Sequence, residues 1–213
     1  MTGYFVTGTD TDVGKTVVCA WLMRALDGEY WKPIQAGLEG ETDAMTVRRL
    51  TGFGADRFHE SVYGLNAPLS PHEAARRDGV AIDLDRMELP RHGRPLIVEG
   101  AGGLLVPLNA RDFVIDLIAK LGLPVILVSR SRIGTINHTL LSIEALRMRH
   151  IELAGVVIHG ESNPENRDSI ARYGNVPIIA EIPILEPLTK ESIAGAATNI
   201  KPALPGRTRA RAS

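Results

Sequence analysis

Residues 8–16 of the chain read GTDTDVGKT, and they follow the apolar segment YFVT at 4–7. A glycine-rich turn between a strand and a helix lets backbone N–H groups point at phosphate oxygens, while a lysine reaches the outer phosphates and a hydroxyl binds Mg²⁺. Five residues separate Gly8 from Gly14, one more than in the usual pattern, so the loop is a variant form. A turn that only joins a strand to a helix is the weaker interpretation, because Gly-Lys-Thr stands at the junction. The segment predicts a nucleoside triphosphate site.

The composition is that of an ordinary globular protein. Of 213 residues, 44% are hydrophobic and 23% are charged. This length and composition fit one α/β domain with a full core, which we place at residues 1–200. Residues 201–213 (KPALPGRTRARAS) have no apolar periodicity, so we expect a flexible tail there.

Charge and cysteine content limit the partners and the location that we expect. The formal net charge is −1, which offers no broad basic surface, so neither nucleic acid nor a membrane is predicted as a partner. With Cys19 as the single cysteine, no intrachain disulfide can form. We find no pattern of a secretion signal or of a membrane span. We therefore expect a cytoplasmic protein.

Apolar runs of strand length alternate with helical patterns along the chain. Strands are predicted at 4–7, 30–32, 96–99, 125–129, 155–159 and 178–182. Helices are predicted at 15–26, 43–51, 113–121, 136–149 and 164–173. Residues 52–94 are irregular, apart from a short helix predicted at 71–77. The alternation predicts an α/β fold of the P-loop NTPase type, a single domain with a mostly parallel sheet, helices on both faces and ligands at the carboxyl ends of the strands.

Three charged residues stand where ligands of such a sheet would bind. Lys32 ends a short apolar run and would be a second cation for the phosphates, although an isolated lysine before proline is more often a surface residue. Asp43 begins a predicted helix behind Thr42, so helix capping is its simpler role. Glu99 ends a buried strand before a glycine-rich loop, which favours a carboxylate ligand of Mg²⁺ over a solvated acid.

The turn SRSRIGTINH at 129–138 joins a strand to a helix and leaves backbone N–H groups free near Gly134 and Thr135. Such a helix start can bind a substrate carboxylate. Equally, Ser129, Thr135 and Asn137 could serve only to cap the helix. The histidines show no metal-ligand spacing and no Gly-x-Ser-x-Gly motif occurs, so neither structural zinc nor a serine hydrolase is predicted.

Six segments in this order resemble the dethiobiotin synthetase family, over about residues 3–185. They are GTDTDVGKT (8–16), WKPIQAG (31–37), ETDAM (41–45), VEGAGGLLVPL (98–108), LPVILVSRSRIGTINH (123–138) and AEIPIL (180–185). The resemblance implies a homodimeric ligase of biotin biosynthesis. Its substrates would be 7,8-diaminononanoate, CO₂ and ATP with Mg²⁺. It would form dethiobiotin through a carbamate and a carbamic-phosphoric anhydride, and release ADP and phosphate.

Position by position, the resemblance implies a role for each matching residue. Lys15 and Lys32 would act on the transferring phosphoryl group. Thr16, Asp43 and Glu99 would surround Mg²⁺ and, like Lys15, contact the nucleotide. The rest of the ATP site would comprise Asp12, Val13, Gly14, Val17, Gly100, Ala101, Gly102, His159, Gly160, Pro183, Ile184 and Leu185. The diamine would meet Thr11, Lys32 and Ala36 and, across the subunit boundary, Ile133, Gly134, Thr135 and Asn137.

Two positions depart from the family pattern. Ala36 stands where a hydroxyl residue is common, so a hydrogen bond near the diamine is expected to be missing or to come from Gln35. His159 and Gly160 replace an Asn-Asp pair that reads the adenine edge. The preference among ATP, GTP and CTP is therefore open.

A partitioning or septum-positioning ATPase switch is the alternative from a different class. Such switches carry an extra lysine early in the phosphate loop, and Thr9, Asp10 and Thr11 provide none. No pattern of an amphipathic membrane-targeting helix closes the chain either. The sequence thus favours the enzyme.

Overall fold

A computed structural model describes residues 3–204 as nine β-strands and seven α-helices. The strands are β1 Gly3–Gly8, β2 Glu29–Trp31, β3 Ile34–Ala36, β4 Phe58–His59, β5 Tyr63–Leu65, β6 Leu96–Gly103, β7 Val125–Arg130, β8 Leu153–His159 and β9 Ile178–Ile182. The helices are α1 Lys15–Leu26, α2 Asp43–Thr51, α3 Pro71–Asp78, α4 Val114–Leu121, α5 Thr135–Met148, α6 Pro164–Gly174 and α7 Lys190–Asn199.

Seven strands form one sheet in the order β4-β2-β6-β1-β7-β8-β9, and every neighbouring pair is parallel. The predicted α/β fold with a mostly parallel sheet is confirmed. β1 lies in the middle, between β6 and β7. Because parallel strands end at the same edge, the loops after β1, β2, β6, β7 and β8 meet along one rim.

Helices cover both faces of this sheet. Adjacent residues of β1 point to opposite faces: Val6 packs in the cluster that holds α1 and α7, and Phe5 in the one that holds α4. The two tryptophans are buried, one on each side. In α1, Trp21 donates from Nε1 to Ile200 O at 3.1 Å, and in β2, Trp31 donates to Glu60 O at 3.0 Å.

Local hydrogen bonds set the element boundaries. The predicted bounds of α1, α2 and β9 agree with the structure. The helix predicted from 113 begins one residue later, because Phe113 N donates to Asp116 Oδ2 at 2.8 Å and so precedes the first turn. The predicted helix 136–149 lies one residue earlier, and α6 runs one residue further than predicted. β6 extends to Gly103, so the glycine-rich loop is partly strand, and β8 starts two residues earlier.

The region predicted as irregular contains short elements. Its predicted short helix is α3, while β3 pairs with β5 in a separate two-stranded parallel sheet and β4 extends the main sheet. β3, β4, β5 and α7 were absent from the sequence prediction. Within residues 3–204, none of the helices has the length and apolar character needed to cross a bilayer.

Four residues of the segment predicted as a flexible tail belong to the part of the chain that the structure describes. Residues 201–204 have no regular secondary structure, yet Ala203 N donates to Ile179 O at 3.0 Å and Leu204 packs against the core. The remaining tail residues, 205–213, lie outside the described range.

Candidate active site

The loop between β1 and α1 has the geometry of an anion site. Gly14 precedes α1 with φ 94°, a left-handed conformation that glycine adopts without strain. No side chain caps the helix, so N–H groups of its first turn are free for a ligand. Lys15 is buried and its Nζ donates to Asp10 O at 3.0 Å. Burial lowers the pKa of Lys15, although the nearby Glu99 carboxylate opposes this.

Lys32, Asp43, Glu99 and Thr16 form one hydrogen-bonded cluster. Lys32 Nζ lies 2.7 Å from Asp43 Oδ2 and 3.0 Å from Glu99 Oε1. The Thr16 hydroxyl lies 2.7 Å from Asp43 Oδ1 and 3.0 Å from Glu99 Oε1. The two acids thus share both a cation and a hydroxyl.

Burial and neighbouring charges act in opposite directions on the pKa values of Lys32 and Asp43. Burial alone would lower the pKa of Lys32, but the Glu99 and Asp43 carboxylates outweigh it and raise that pKa above its ordinary value. Burial would raise the pKa of Asp43, but the Lys32 ammonium lowers it. Tyr30 donates its hydroxyl to Glu99 Oε2 at 2.9 Å, so both carboxylate oxygens of Glu99 have partners.

The sheet order explains why these residues meet. β6 is hydrogen-bonded to β2 on one side and to β1 on the other, with Trp31 opposite Val98 and Val6 opposite Glu99. Lys32 directly follows β2, and Thr16 is the second residue of the helix after the β1 loop. Thr42 caps α2 by accepting from Met45 N at 3.3 Å, and this helix start presents Asp43.

A cavity of about 840 Å³ opens over the cluster. The predicted site residues that line it are Thr11, Asp12, Gly14, Lys15, Thr16, Val17, Lys32, Ala36, Asp43, Glu99, Ala101 and Gly102. Gly100 is buried beneath it, and Val13 is in the core. The structure thus brings together the phosphate and metal residues predicted from the sequence.

The oxygen atoms of the cluster fit a magnesium ion that is shared with a substrate. Mg²⁺ prefers oxygen ligands and usually takes one or two carboxylates together with phosphate oxygens and water. Thr16 Oγ1 and the carboxylates of Asp43 and Glu99 supply such a set. No group of three or more His, Cys, Asp or Glu residues within residues 3–204 could form a metal cage of its own. These three residues would hold Mg²⁺ together with the phosphates.

A second cavity, of about 420 Å³, lies on the other side of the loop. His159, Gly160 and Ile184 line it with Asp12 and Val13. His159 packs so closely on the loop that a Cβ atom at Gly14 would lie 2.4 Å from its Nδ1. Burial lowers the pKa of His159. The remaining residues predicted near the purine are Pro183, which is exposed, and Leu185, which is half-buried against the core.

The residues predicted to meet the substrate carboxylate lie apart from the Lys32 cavity in the single chain. Ile133 and Asn137 are exposed at the start of α5, and Gly134 precedes the helix with φ 89°. Thr135 is buried, and its hydroxyl donates to Arg130 O at 2.5 Å and lies 3.0 Å from Ser129 Oγ. Its side chain is therefore engaged within the chain, whereas the helix start itself is open.

Sequence reasoning did not identify several residues at the site. Tyr30 holds Glu99, and residues 68–71 close one side of the large cavity. For the hydrogen bond near the diamine, the sequence left two alternatives, its absence or its supply by Gln35. The Gln35 Oε1 accepts from Asp43 N at 3.3 Å and its Nε2 donates to Ala36 O at 2.8 Å. No local sequence signal marks these contacts, since they depend on which segments are neighbours in space.

The parallel sheet and the loop between β1 and α1 define a P-loop NTPase-type α/β protein. A ParA family ATPase from Chlorobium tepidum has this fold at 12% identity, with a TM-score of 0.56 over 92% of this chain and 98% of that one. The cell division ATPase MinD of Pyrococcus furiosus has it at 16% identity, with a TM-score of 0.51 over 94% and 92% of the two chains. At these identities the likeness concerns the fold alone.

Sequence relatives give the particular family. A family model described as an AAA domain matches residues 2–192. The ATP-dependent dethiobiotin synthetase BioD of Paramagnetospirillum magneticum is 52% identical over 195 residues, which cover 92% of this chain and 94% of the relative. BioD of a Rhodopseudomonas palustris strain is 54% identical over 191 residues, 90% of each chain. The chain therefore belongs to the ATP-dependent dethiobiotin synthetase family, which confirms the resemblance; the switch ATPase alternative shares only the fold.

Proposed function

We propose that the protein closes the ring of dethiobiotin from 7,8-diaminononanoate, CO₂ and ATP in the presence of Mg²⁺. Membership of the family supports the overall reaction. The observation that carries the residue roles is the buried Lys32 ammonium between Asp43 and Glu99, with the Thr16 hydroxyl on the same two acids. This arrangement supports the proposal that a cation and a set of metal ligands act together at the strand rim beside the phosphate loop.

In the proposed reaction one substrate amine takes up CO₂ and loses a proton to give a carbamate. A carbamate oxygen attacks the γ-phosphorus of ATP and ADP leaves, which forms a carbamic-phosphoric anhydride. The second amine then attacks the carbamoyl carbon, loses a proton and expels phosphate. Phosphoryl transfer requires mainly positioning and charge neutralisation, so no protein nucleophile is needed.

Lys15 and Lys32 would neutralise the transferring phosphoryl group. Lys15 Nζ has a carbonyl oxygen as its hydrogen-bond partner, and burial disfavours its charge more than the nearby Glu99 favours it, so an incoming phosphate would supply a counter-charge in direct contact. Such preorganised cations stabilise developing charge without reorganisation. Mg²⁺, when bound by Thr16, Asp43 and Glu99, supplies Lewis-acid stabilisation of the phosphate oxygens.

The substrate carboxylate would meet the α5 start of a second subunit. Ile133 before the helix and Leu141 and Met148 on it are exposed apolar residues, and Leu141 with the exposed Leu105 borders a cavity of about 410 Å³. A homodimer would cover these residues and bring the open helix start to the partner's diamine site. The separation of Gly134 and Asn137 from the Lys32 cavity within one chain supports this arrangement.

An assay of ADP release with and without the diamine and bicarbonate tests the proposal. ADP should appear only when both are present, and dethiobiotin should be detected by mass spectrometry in equal amount. Parallel runs with ATP, GTP and CTP measure the base preference at the His159 cavity. Equal ADP release without the diamine would instead indicate a switch ATPase and would contradict the proposed reaction.

A further inference from the structure

Arg130, the last residue of β7, reaches the phosphate loop from the neighbouring strand. Its Nη2 donates to Asp10 Oδ2 at 2.9 Å and to Thr11 O at 3.0 Å. Asp10 in turn accepts from Thr11 N at 2.7 Å through Oδ1, and from Lys15 Nζ at 3.0 Å through its backbone carbonyl. The Arg130 guanidinium and Asp10 thus link β7, the Asp10–Thr11 turn and the Lys15 side chain through hydrogen bonds.

The rest of the structure fixes Arg130 independently of the loop. Its carbonyl accepts from the hydroxyl of Thr135, the first residue of α5. Its backbone is paired in β7, where it lies opposite His159 of β8. The start of the loop is tied to the same strand, because Thr9 N donates to Val128 O at 2.9 Å. Arg130 is therefore a rigid support against which the turn can be held.

The ion pair between Arg130 and Asp10 also changes the net charge of the phosphate loop. Asp10 and Asp12 place two acids in a loop that is proposed to bind a triphosphate, and like charges at close range repel. The Arg130 guanidinium offsets the charge of Asp10. Arg130 has a side-chain exposure of 26% and Asp10 of 54%, and such a pair alone contributes little to stability. The effect should thus appear in ligand binding rather than in folding.

We propose that Arg130 is a positioning residue for nucleotide binding: it holds the Asp10–Thr11 turn in shape and offsets the Asp10 charge. The inference rests on the proposed function only in taking ATP as the ligand of the loop. Arg130 touches neither Lys32 nor the metal-ligand set among residues 3–204. Its loss should therefore weaken ATP binding more than it lowers kcat.

Calorimetric titration of Mg-ATP into the purified full chain tests this, together with KM and kcat of ring closure. Arg130→Gln should raise the Kd for ATP about tenfold, the size expected from losing a charge-assisted hydrogen bond. Arg130→Lys should recover most of the affinity. Because the double variant Arg130→Gln/Asp10→Asn no longer carries the Asp10 charge, it should bind ATP more tightly than Arg130→Gln. Asp10→Asn alone removes the ion pair together with the acid, so its Kd should rise by less than that of Arg130→Gln. Arg130→Gln should fold, since the exposed pair contributes little to stability, and urea unfolding of this variant checks that.

Arg149→Gln is the matched control, since it removes an arginine that pairs with an acid, Asp116, and that lines none of the three cavities. Its loss should leave the Kd for ATP unchanged. An unchanged Kd in Arg130→Gln, an equal rise in Arg149→Gln, or purely additive effects in the double variant would each overturn the inference. Absence of ATP binding by the wild-type chain would instead contradict the proposed function.

Discussion

Lys32 holds the charge balance of the site. Glu99 is 1% exposed and Asp43 is partly buried, and both depend on the ammonium between them. Removing one member of a buried charged cluster leaves the others without compensation, which costs more than the ion pair contributes in its intact form. The same side chain is therefore expected to serve stability and catalysis together.

Lys32→Ala should abolish turnover and lower the free energy of unfolding by about 3–5 kcal/mol, measured by urea unfolding. Because loss of folding would also remove activity, Lys32→Arg is the more informative variant. It keeps the charge and should fold, yet its planar guanidinium should reduce kcat at least about a hundredfold. Lys120→Ala removes an exposed ion pair with Asp85 and is the control. Wild-type kcat in Lys32→Arg would contradict the assigned role.

His159 should make stability depend on pH. Burial lowers its pKa below the ordinary value of 6.5, so the unfolded chain takes up a proton that the folded chain resists. Stability that is present above about pH 6.5 is thus lost as the pH falls. Unfolding free energies at about pH 7.5 and 5 should show a fall in the wild type that is smaller in His159→Gln.

The exposed His72 provides the control, since His72→Gln should keep the pH dependence of the wild type. Equal slopes for His159→Gln and the wild type would show that the imidazole of His159 titrates freely in the folded chain.

The sequence predicted a site residue when that residue belongs to a recognisable local motif. Lys15 and Thr16 stand in the loop itself, and Lys32 and Glu99 follow apolar runs, so their meeting at one rim follows from parallel strands. Tyr30 and Arg130 act across strands instead. Their contacts depend on β2 lying beside β6 and β7 beside β1, an order that local patterns do not specify.

Helix α5 and the turn before it expose several large apolar side chains to solvent. Leu141 is 62% exposed on its outer side, and Ile133 before it is fully exposed. Leu141→Asp should convert a dimer into a monomer in sedimentation velocity and raise the KM for the diamine, because a charge would be buried in the proposed interface. Tyr173→Asp, at an exposed aromatic of α6, should leave the dimer intact. A wild-type monomer, or a dimeric Leu141→Asp variant, would contradict the proposal.

The capped helices α2 and α6 were predicted well, whereas the three-residue strands and helix α7, which Thr189 caps, were not. Thr42 and Asn163 mark α2 and α6 because each accepts a hydrogen bond from the first turn of its helix. β3 and β5 have three residues each, and they pair with one another although α2 and β4 lie between them in the chain. Runs of this length have no resolvable period, so only their tertiary pairing makes them strands.

Helix α7 covers part of one face of the sheet. Ile193 of α7 is fully buried against the cluster that contains Trp21, whose indole donates to Ile200 O. A chain that ends at Thr189 should therefore unfold with a free energy lower by about 3 kcal/mol or more than a chain that ends at Leu204. Thermal and urea unfolding of the two truncated chains measure the difference. Equal free energies of unfolding would mean that the burial of α7 residues does not stabilise the fold.

The placement of the two tryptophans gives the protein an optical reporter of its own. Trp31 directly precedes Lys32 and is 2% exposed, while Trp21 is fully buried in the helix that begins at the phosphate loop. When a nucleotide engages Lys32, the electric field at the neighbouring indole changes, so the emission of Trp31 should shift without any attached dye. In a Trp21→Phe background that signal comes from one fluorophore and can be followed by stopped flow in real time.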